Sequence, residues 1–214
     1  MKTVQQIYTD YKIMPALQLH QLRVAAVGKM IAENFDGLLD KESIIYACLF
    51  HDMGNIIKSD LDYFPEFVKP EGKEYWQAVK DEYIKKYGSD EHVATEMIAQ
   101  EINLPPRVFR NIGQVGFSRA TENEASGSFE YKICNYADMR ISPYGTLPML
   151  ERIADAKKRY EGKNYPIAGG NFESLVQSLK NTEQQIFSKT RIAPEEITNG
   201  KINDSIESLR SLTI

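Results

Sequence analysis

Residues 43–58, SIIYACLFHDMGNIIK, are apolar nearly all round, yet they carry a histidine and an aspartate side by side. A helix without a polar face belongs in the middle of a core rather than on its surface. His51 and Asp52 are therefore expected at the end of a central helix. A carboxylate beside an imidazole is costly to bury there without compensation. A divalent cation supplies it, because it attracts the carboxylate and accepts a lone pair from the imidazole nitrogen. A His–Asp hydrogen bond internal to the fold is the alternative, and on this pair alone it stays open.

The rest of the chain must build that core, and its apolar residues recur with helical spacing nearly everywhere. Met14 to Phe35 reads as a long helix with Leu17, Leu19, Leu22, Val24, Val27, Met30 and Ile31 on a broad apolar face. Pro15 suits its first turn and Gly37 follows its end. Asp40, or Ser43, caps the apolar helix. Pro65, Pro70 and Gly72 make the following stretch a loop. Further helices are expected over Glu71–Tyr87, from Ser89 or Asp90 through Ile102, from Pro105-Pro106 to about Gly116, and over Phe129–Met139, Leu147–Tyr160 and Ser174–Lys189. A weaker one starts at Glu195 or Ile202. Residues 118–128 read as a polar loop, Pro143 and Gly145 as a break, and residues 160–171 as a connection. No segment alternates convincingly as a strand. The expected class is all-α, a compact helical bundle rather than a coiled coil.

A chain of 214 residues suits one domain, here residues 1–160, with residues 161–214 as a helical extension packed on it. The formal net charge of −4 offers no overall basic field for nucleic acid or an anionic membrane. A local basic pocket for a small anion is compatible with it. No apolar run is long enough to span a bilayer, and MKTVQQIYTDYK lacks the features of a signal peptide. Cys48 and Cys134 each sit in apolar surroundings, which fits two buried thiols in a reducing cytoplasm rather than a disulfide framework. No CxxC or Cys/His knuckle points to structural zinc.

Two other helices carry residues that fit the His51-Asp52 pair. His20 opens HQLRVAAV on the long helix, with Arg23 three residues on and so on the same face. Asp138, in NYADMRIS, ends another apolar stretch, where an aspartate is unfavourable unless paired or ligating. Two imidazoles and two carboxylates from three helices make a mixed N/O site for one divalent metal ion. The imidazoles favour Mn, Fe, Co, Ni or Zn over Mg.

This ordered set, with HxxRVA around His20, ACLFHDMG around His51-Asp52 and YADMRIS around Asp138, resembles the HD-domain superfamily of metal-dependent phosphohydrolases over residues 14–142. The resemblance implies a helical HD-domain bundle, with metal ligation by His20, His51, Asp52 and Asp138. It also implies hydrolysis of a phosphate ester of a nucleotide or related small molecule by metal-activated water. Two departures stand out. Many relatives have Lys shortly after the HD pair, where this chain has Asn55, with Lys58 three residues later. Two-metal relatives carry extra histidines. His92 matches the first, but NIGQVGF holds none, which points to a mononuclear site.

Arg23 is the first candidate for a phosphate contact because its planar fork suits phosphate; a surface Arg paired with a carboxylate is the alternative. Lys58, Arg140 and Arg119 follow as substrate-binding candidates. Asp52 would orient the water and His92 would act as general acid or base, unless His92 is only a solvated helix-start residue. Glu96 is placed to orient His92 or to stand exposed. Tyr63, Phe64, Phe67, Tyr75 and Trp76 would wall a base pocket or pack in the core. Two other functions share this frame: a non-catalytic nucleotide sensor, and an HD-type di-iron oxygenase, which needs further ligands. Residues after about 160 carry no motif and leave room for a homodimer.

Overall fold

A computed structural model describes residues 1–160 and 171–214, and it is built almost entirely from helices. The connection expected over residues 160–171 falls largely outside the described residues. The long helix runs Pro15–Glu33 (α2), after an unanticipated helix Val4–Asp10 (α1) whose Thr3 and Gln6 form a reciprocal capping box. The apolar helix is Lys41–Phe50 (α3), capped by the Asp40 carboxylate, which accepts from the Ser43 amide. Ile44, Ala47, Cys48, Leu49 and Phe50 are fully buried, whereas Ile45 and Tyr46 keep partial exposure, so the helix is central without being sealed on every side.

α3 stops earlier than its apolar run, with His51 as its C-cap and a 3-10 turn over Asn55–Lys58. Close packing at Gly54 accompanies the stop. A Cβ there would collide with the Glu91 carbonyl oxygen and come within 2.7 Å of the Ala94 side chain. Gly28 performs the same service between α2 and α3, where a Cβ would stand 3.0 Å from Cys48 Sγ.

The order continues with Lys73–Tyr87 (α4), Glu91–Glu101 (α5) capped by Asp90, and Pro106–Ile112 (α6), shorter than its expected run to Gly116. The polar stretch expected as a loop instead holds a 3-10 turn, Phe117–Arg119, and a short helix, Ala120–Ala125 (α7). Tertiary packing overrides composition here: Ala120 and Asn123 are fully buried and Asn123 Nδ2 donates to the Gln114 carbonyl. Next come Phe129–Asp138 (α8), a two-residue ribbon pairing Ile141–Ser142 (β1) with Gly145–Thr146 (β2), and Met149–Tyr160 (α9). The last elements are Phe172–Phe187 (α10), a 3-10 turn at Pro194–Glu196, Asn199–Asn203 (α11) and Ile206–Arg210 (α12).

α2, α3 and α8 pack on one another, α10 lies against α7 and α8, and α11 and α12 lie against α2. The chain ends meet through a Thr3–Thr213 bridge. No helix among the described residues is long and apolar enough to cross a membrane.

Arg140 corrects an expectation. It was a candidate substrate contact, but it is only 3% exposed and does not reach the cavity described below. Its guanidinium donates to the carbonyls of Leu147, Pro194 and Ile197 and to the Tyr136 hydroxyl. A fork saturated by structural acceptors ties the ribbon to the C-terminal segment. Arg140→Ala is expected to cost about 2–3 kcal/mol in denaturant unfolding, because buried carbonyls lose a charged donor. The number of metal ions bound should not change.

Candidate metal centre

Three packed helices deliver the four residues. His20 lies in the second turn of α2, His51 and Asp52 follow the last turn of α3, and Asp138 is the final residue of α8. An aspartate at a helix C-terminus faces the negative end of the helix dipole, so something positive must hold it there. His20 Nε2 stands 3.2 Å from Asp138 Oδ1 and 3.6 Å from Asp52 Oδ2. His51 Nε2 stands 3.6 Å from each of the same two oxygens. Ligands bound at about 2.0–2.2 Å in tetrahedral or octahedral arrangement are spaced by about 3.0–3.6 Å. His20, His51 and Asp52 also form a group whose ligand atoms all lie within 4.8 Å of one another.

The orientation of His51 is set by its other nitrogen. Nδ1 lies 2.8 Å from the Cys48 carbonyl oxygen, which only accepts, so Nδ1 carries the proton and Nε2 presents a lone pair to the centre. That Nε2 is buried and makes no hydrogen bond. An orphaned imidazole nitrogen between two carboxylates fits a divalent cation. Asp52 is steadied on two sides: Asn55 Nδ2 donates to Oδ2 at 2.6 Å, and the Asp52 amide donates to Gln21 Oε1 at 3.3 Å. Asn55 is thus a support for Asp52. Asn55→Ala is expected to weaken metal affinity by about tenfold, the lower range for an outer partner of a ligand. Metal titration of the variant checks this.

Electrostatics agree with a site built for positive charge. Burial pulls the His51 imidazole toward neutrality, but Asp52, Asp138 and the Cys48 carbonyl more than offset it and raise its pKa to about 9. Burial pushes the Asp138 carboxyl up, yet the His20 and His51 imidazoles beside it hold it well below the usual range. Asp52 follows the same pattern under His51, Lys58 and His20. Without a cation, a proton on imidazole supplies the balancing charge.

The centre opens into a cavity of about 770 Å³, within the range for small-molecule sites. His20 and Asp52 keep 19% and 20% of their side-chain surface open, whereas His51 is sealed at 2%. Lys58, Glu96, His92, Arg119, Tyr63, Phe64 and Phe67 also line the cavity. Lys58 Nζ pairs with Glu91 at 3.2 Å, and Arg119 with Glu122 at 2.9 Å. His92 is 70% exposed, and its ion-pair contact is Glu91, at 3.6 Å, rather than Glu96. The rings of Phe64 and Phe67 stack at 4.8 Å.

The Arg23 expectation is corrected, and the core alternative holds for Trp76. Arg23 does not line the cavity: it is half-buried, its Nε has no hydrogen-bond partner, and burial lowers its pKa. A three-residue step puts it beside His20 on α2 but turned away from the opening, and no carboxylate pairs with it among the described residues. Trp76 is buried in the core, and Tyr75 is exposed against it, so neither walls the cavity. Conversely, Arg152, Lys157 and Arg159 line it without having been singled out. The spacing Arg152, Ala156, Arg159 places these residues on one face of α9, a signal hidden among the helix's other charges.

Residues 18–108 match the family model described as HD domain. Searches of curated proteins and of solved structures returned no significant match. The matched span contains His20, His51 and Asp52, and the fold brings Asp138 to them from outside it. Residues 18–108 of the chain thus carry an HD domain.

Proposed function

We propose that the protein is a metal-dependent phosphohydrolase acting on a phosphate ester of a nucleotide or related small molecule. The observation that carries this reading is the convergence of Asp138 Oδ1 with both imidazole Nε2 atoms, at 3.2 and 3.6 Å, at the wall of a substrate-sized cavity.

His20, His51, Asp52 and Asp138 would hold one divalent cation, for which two imidazoles favour Mn, Fe, Co, Ni or Zn. Such an ion supplies a water of lowered pKa and polarises a phosphoryl oxygen. The remaining work falls to the chain. The Cys48 carbonyl keeps the His51 proton on Nδ1, and Asn55 holds the Asp52 carboxylate in place. Lys58, held at the cavity wall by Glu91, offsets charge growing on the phosphate. His92, exposed at the same wall, would give a proton to a leaving oxygen. The stacked Phe64 and Phe67 offer an apolar surface for a nucleobase or similar flat group.

Metal analysis of the purified protein, coupled to a screen of phosphomonoesters, phosphodiesters and nucleotides with added Mn or Co, tests the reading. About one metal ion per chain and release of phosphate or a phosphomonoester product are expected. A metal-loaded protein that turns over nothing in the screen counts against hydrolysis. Tight nucleotide binding without turnover would make it a sensor. Two irons per chain with oxygen uptake would make it an oxygenase.

A further inference from the structure

The cavity's cationic side chains differ in what already holds them. Lys58 is paired with Glu91, Arg119 with Glu122 and Arg159 with Asp155. Lys157 is exposed, with its ammonium over the Phe172 ring at 4.8 Å. Arg152 stands apart. It is half-buried, and its Nε donates to the Ile141 carbonyl at 3.1 Å. Its two terminal amino groups have no hydrogen bond or ion pair with the described residues.

That anchor holds Arg152 to the segment that follows Asp138. Ile141 lies three residues beyond Asp138 and lines the same cavity. Its backbone is held by pairing with Thr146 in the ribbon. Immediately before it, the Arg140 side chain is locked by three carbonyls and the Tyr136 hydroxyl. A guanidinium pinned through Nε to such a segment has lost much of its side-chain freedom before any ligand arrives. Its remaining N–H donors form a planar fork, the geometry that matches two oxygens of a phosphate.

We propose that Arg152 binds the substrate's phosphoryl group, gripping non-bridging oxygens with its free amino groups. The assignment rests on the phosphohydrolase reading and fills the place that Arg23 and Arg140 leave vacant. The ligand class is a phosphate oxyanion whose other side faces the four metal-ligating residues.

Orthophosphate titrated calorimetrically into Mn-loaded wild-type, Arg152→Gln and Arg152→Lys protein tests it. Gln retains a donor for the Ile141 carbonyl but lacks charge and fork; Lys retains the charge alone. Phosphate affinity should fall by about ten- to a hundredfold in Arg152→Gln and by a smaller factor in Arg152→Lys, as expected for a lost charge-assisted contact. Mn stoichiometry and affinity should match wild type in both. With a substrate found in the screen, KM should rise more than kcat falls.

Wild-type phosphate affinity in Arg152→Gln would overturn the assignment and leave Arg152 as a strap between α9 and the ribbon, with the hydrolase reading intact. Mn-loaded wild-type protein that binds no phosphate would overturn the Arg152 assignment, and turnover in the substrate screen decides the hydrolase reading separately. If Arg152→Gln fails to fold, Arg152→Lys decides: affinity equal to wild type removes any role for the fork, and reduced affinity supports it.

Discussion

Replacing Asp138 by alanine is expected to abolish tight metal binding and hydrolysis together. The residue lies outside the segment that matches the HD-domain model, yet its Oδ1 is as close to the two imidazoles as any oxygen in the site. Removing it leaves two nitrogens and one carboxylate, and it removes a charge that favours both a protonated imidazole and a cation. Loss of a ligand should exceed the effect of losing an outer partner, so affinity should fall by at least about a hundredfold. Thermodynamic linkage makes this visible without any substrate. At a free metal concentration about 1,000 times the wild-type Kd, binding stabilises the native state by about 4 kcal/mol, and a hundredfold weaker site gains only about 1.4 kcal/mol. Unfolding with and without metal reads that difference. Equal metal stabilisation in Asp138→Ala and wild type would show that the other three residues hold the ion unaided.

The metal-free protein should lose stability as pH rises through the range where His51 deprotonates. Its folded-state pKa, about 9, lies above the ordinary 6.5 of an unfolded histidine. A raised pKa means that the native state binds the proton more tightly. The stabilisation is therefore complete below about pH 6.5 and is lost as pH rises through about 9. For this fully buried imidazole the loss is about 3 kcal/mol. Denaturant unfolding in the presence of chelator, at intervals from pH 6 to 9.5, measures it. Metal-loaded protein should show the opposite trend at the low end, since the ion must displace that proton before Nε2 can ligate. Metal uptake should release protons and weaken as pH falls. Chelated protein with flat stability from pH 6.5 to 9 would refute the link between His51 and the two carboxylates.

Much of the fold was legible because helical spacing is a local signal. The α2, α3, α4, α5, α8 and α10 segments follow from apolar recurrence and from caps such as Asp40 and Asp90. α1 and α7 were not legible. α1 is short, and α7 is polar in composition, folding where burial of Ala120 and Asn123 against the rest of the core rewards it. The candidate metal ligands stood out because a charged group at the end of an apolar helix needs compensation. The proposed phosphate contact did not, because an arginine's sequence position does not say which acceptors its fork will meet. Arg23 and Arg140 each lie near a candidate metal ligand, yet one is absent from the cavity lining and the other is bound by carbonyls from distant segments.

Sequence alone determined the helical class, the caps and the four residues suited to a cation, since each follows from the spacing and polarity of near neighbours. Tertiary structure alone decided that Asp138 meets both imidazoles, that Arg140 is structural and that Arg152 lines the opening. The physical reason is range. Helix formation and desolvation cost act over a few residues, whereas a ligand set or an anion contact depends on distances between segments that only the packed core brings together.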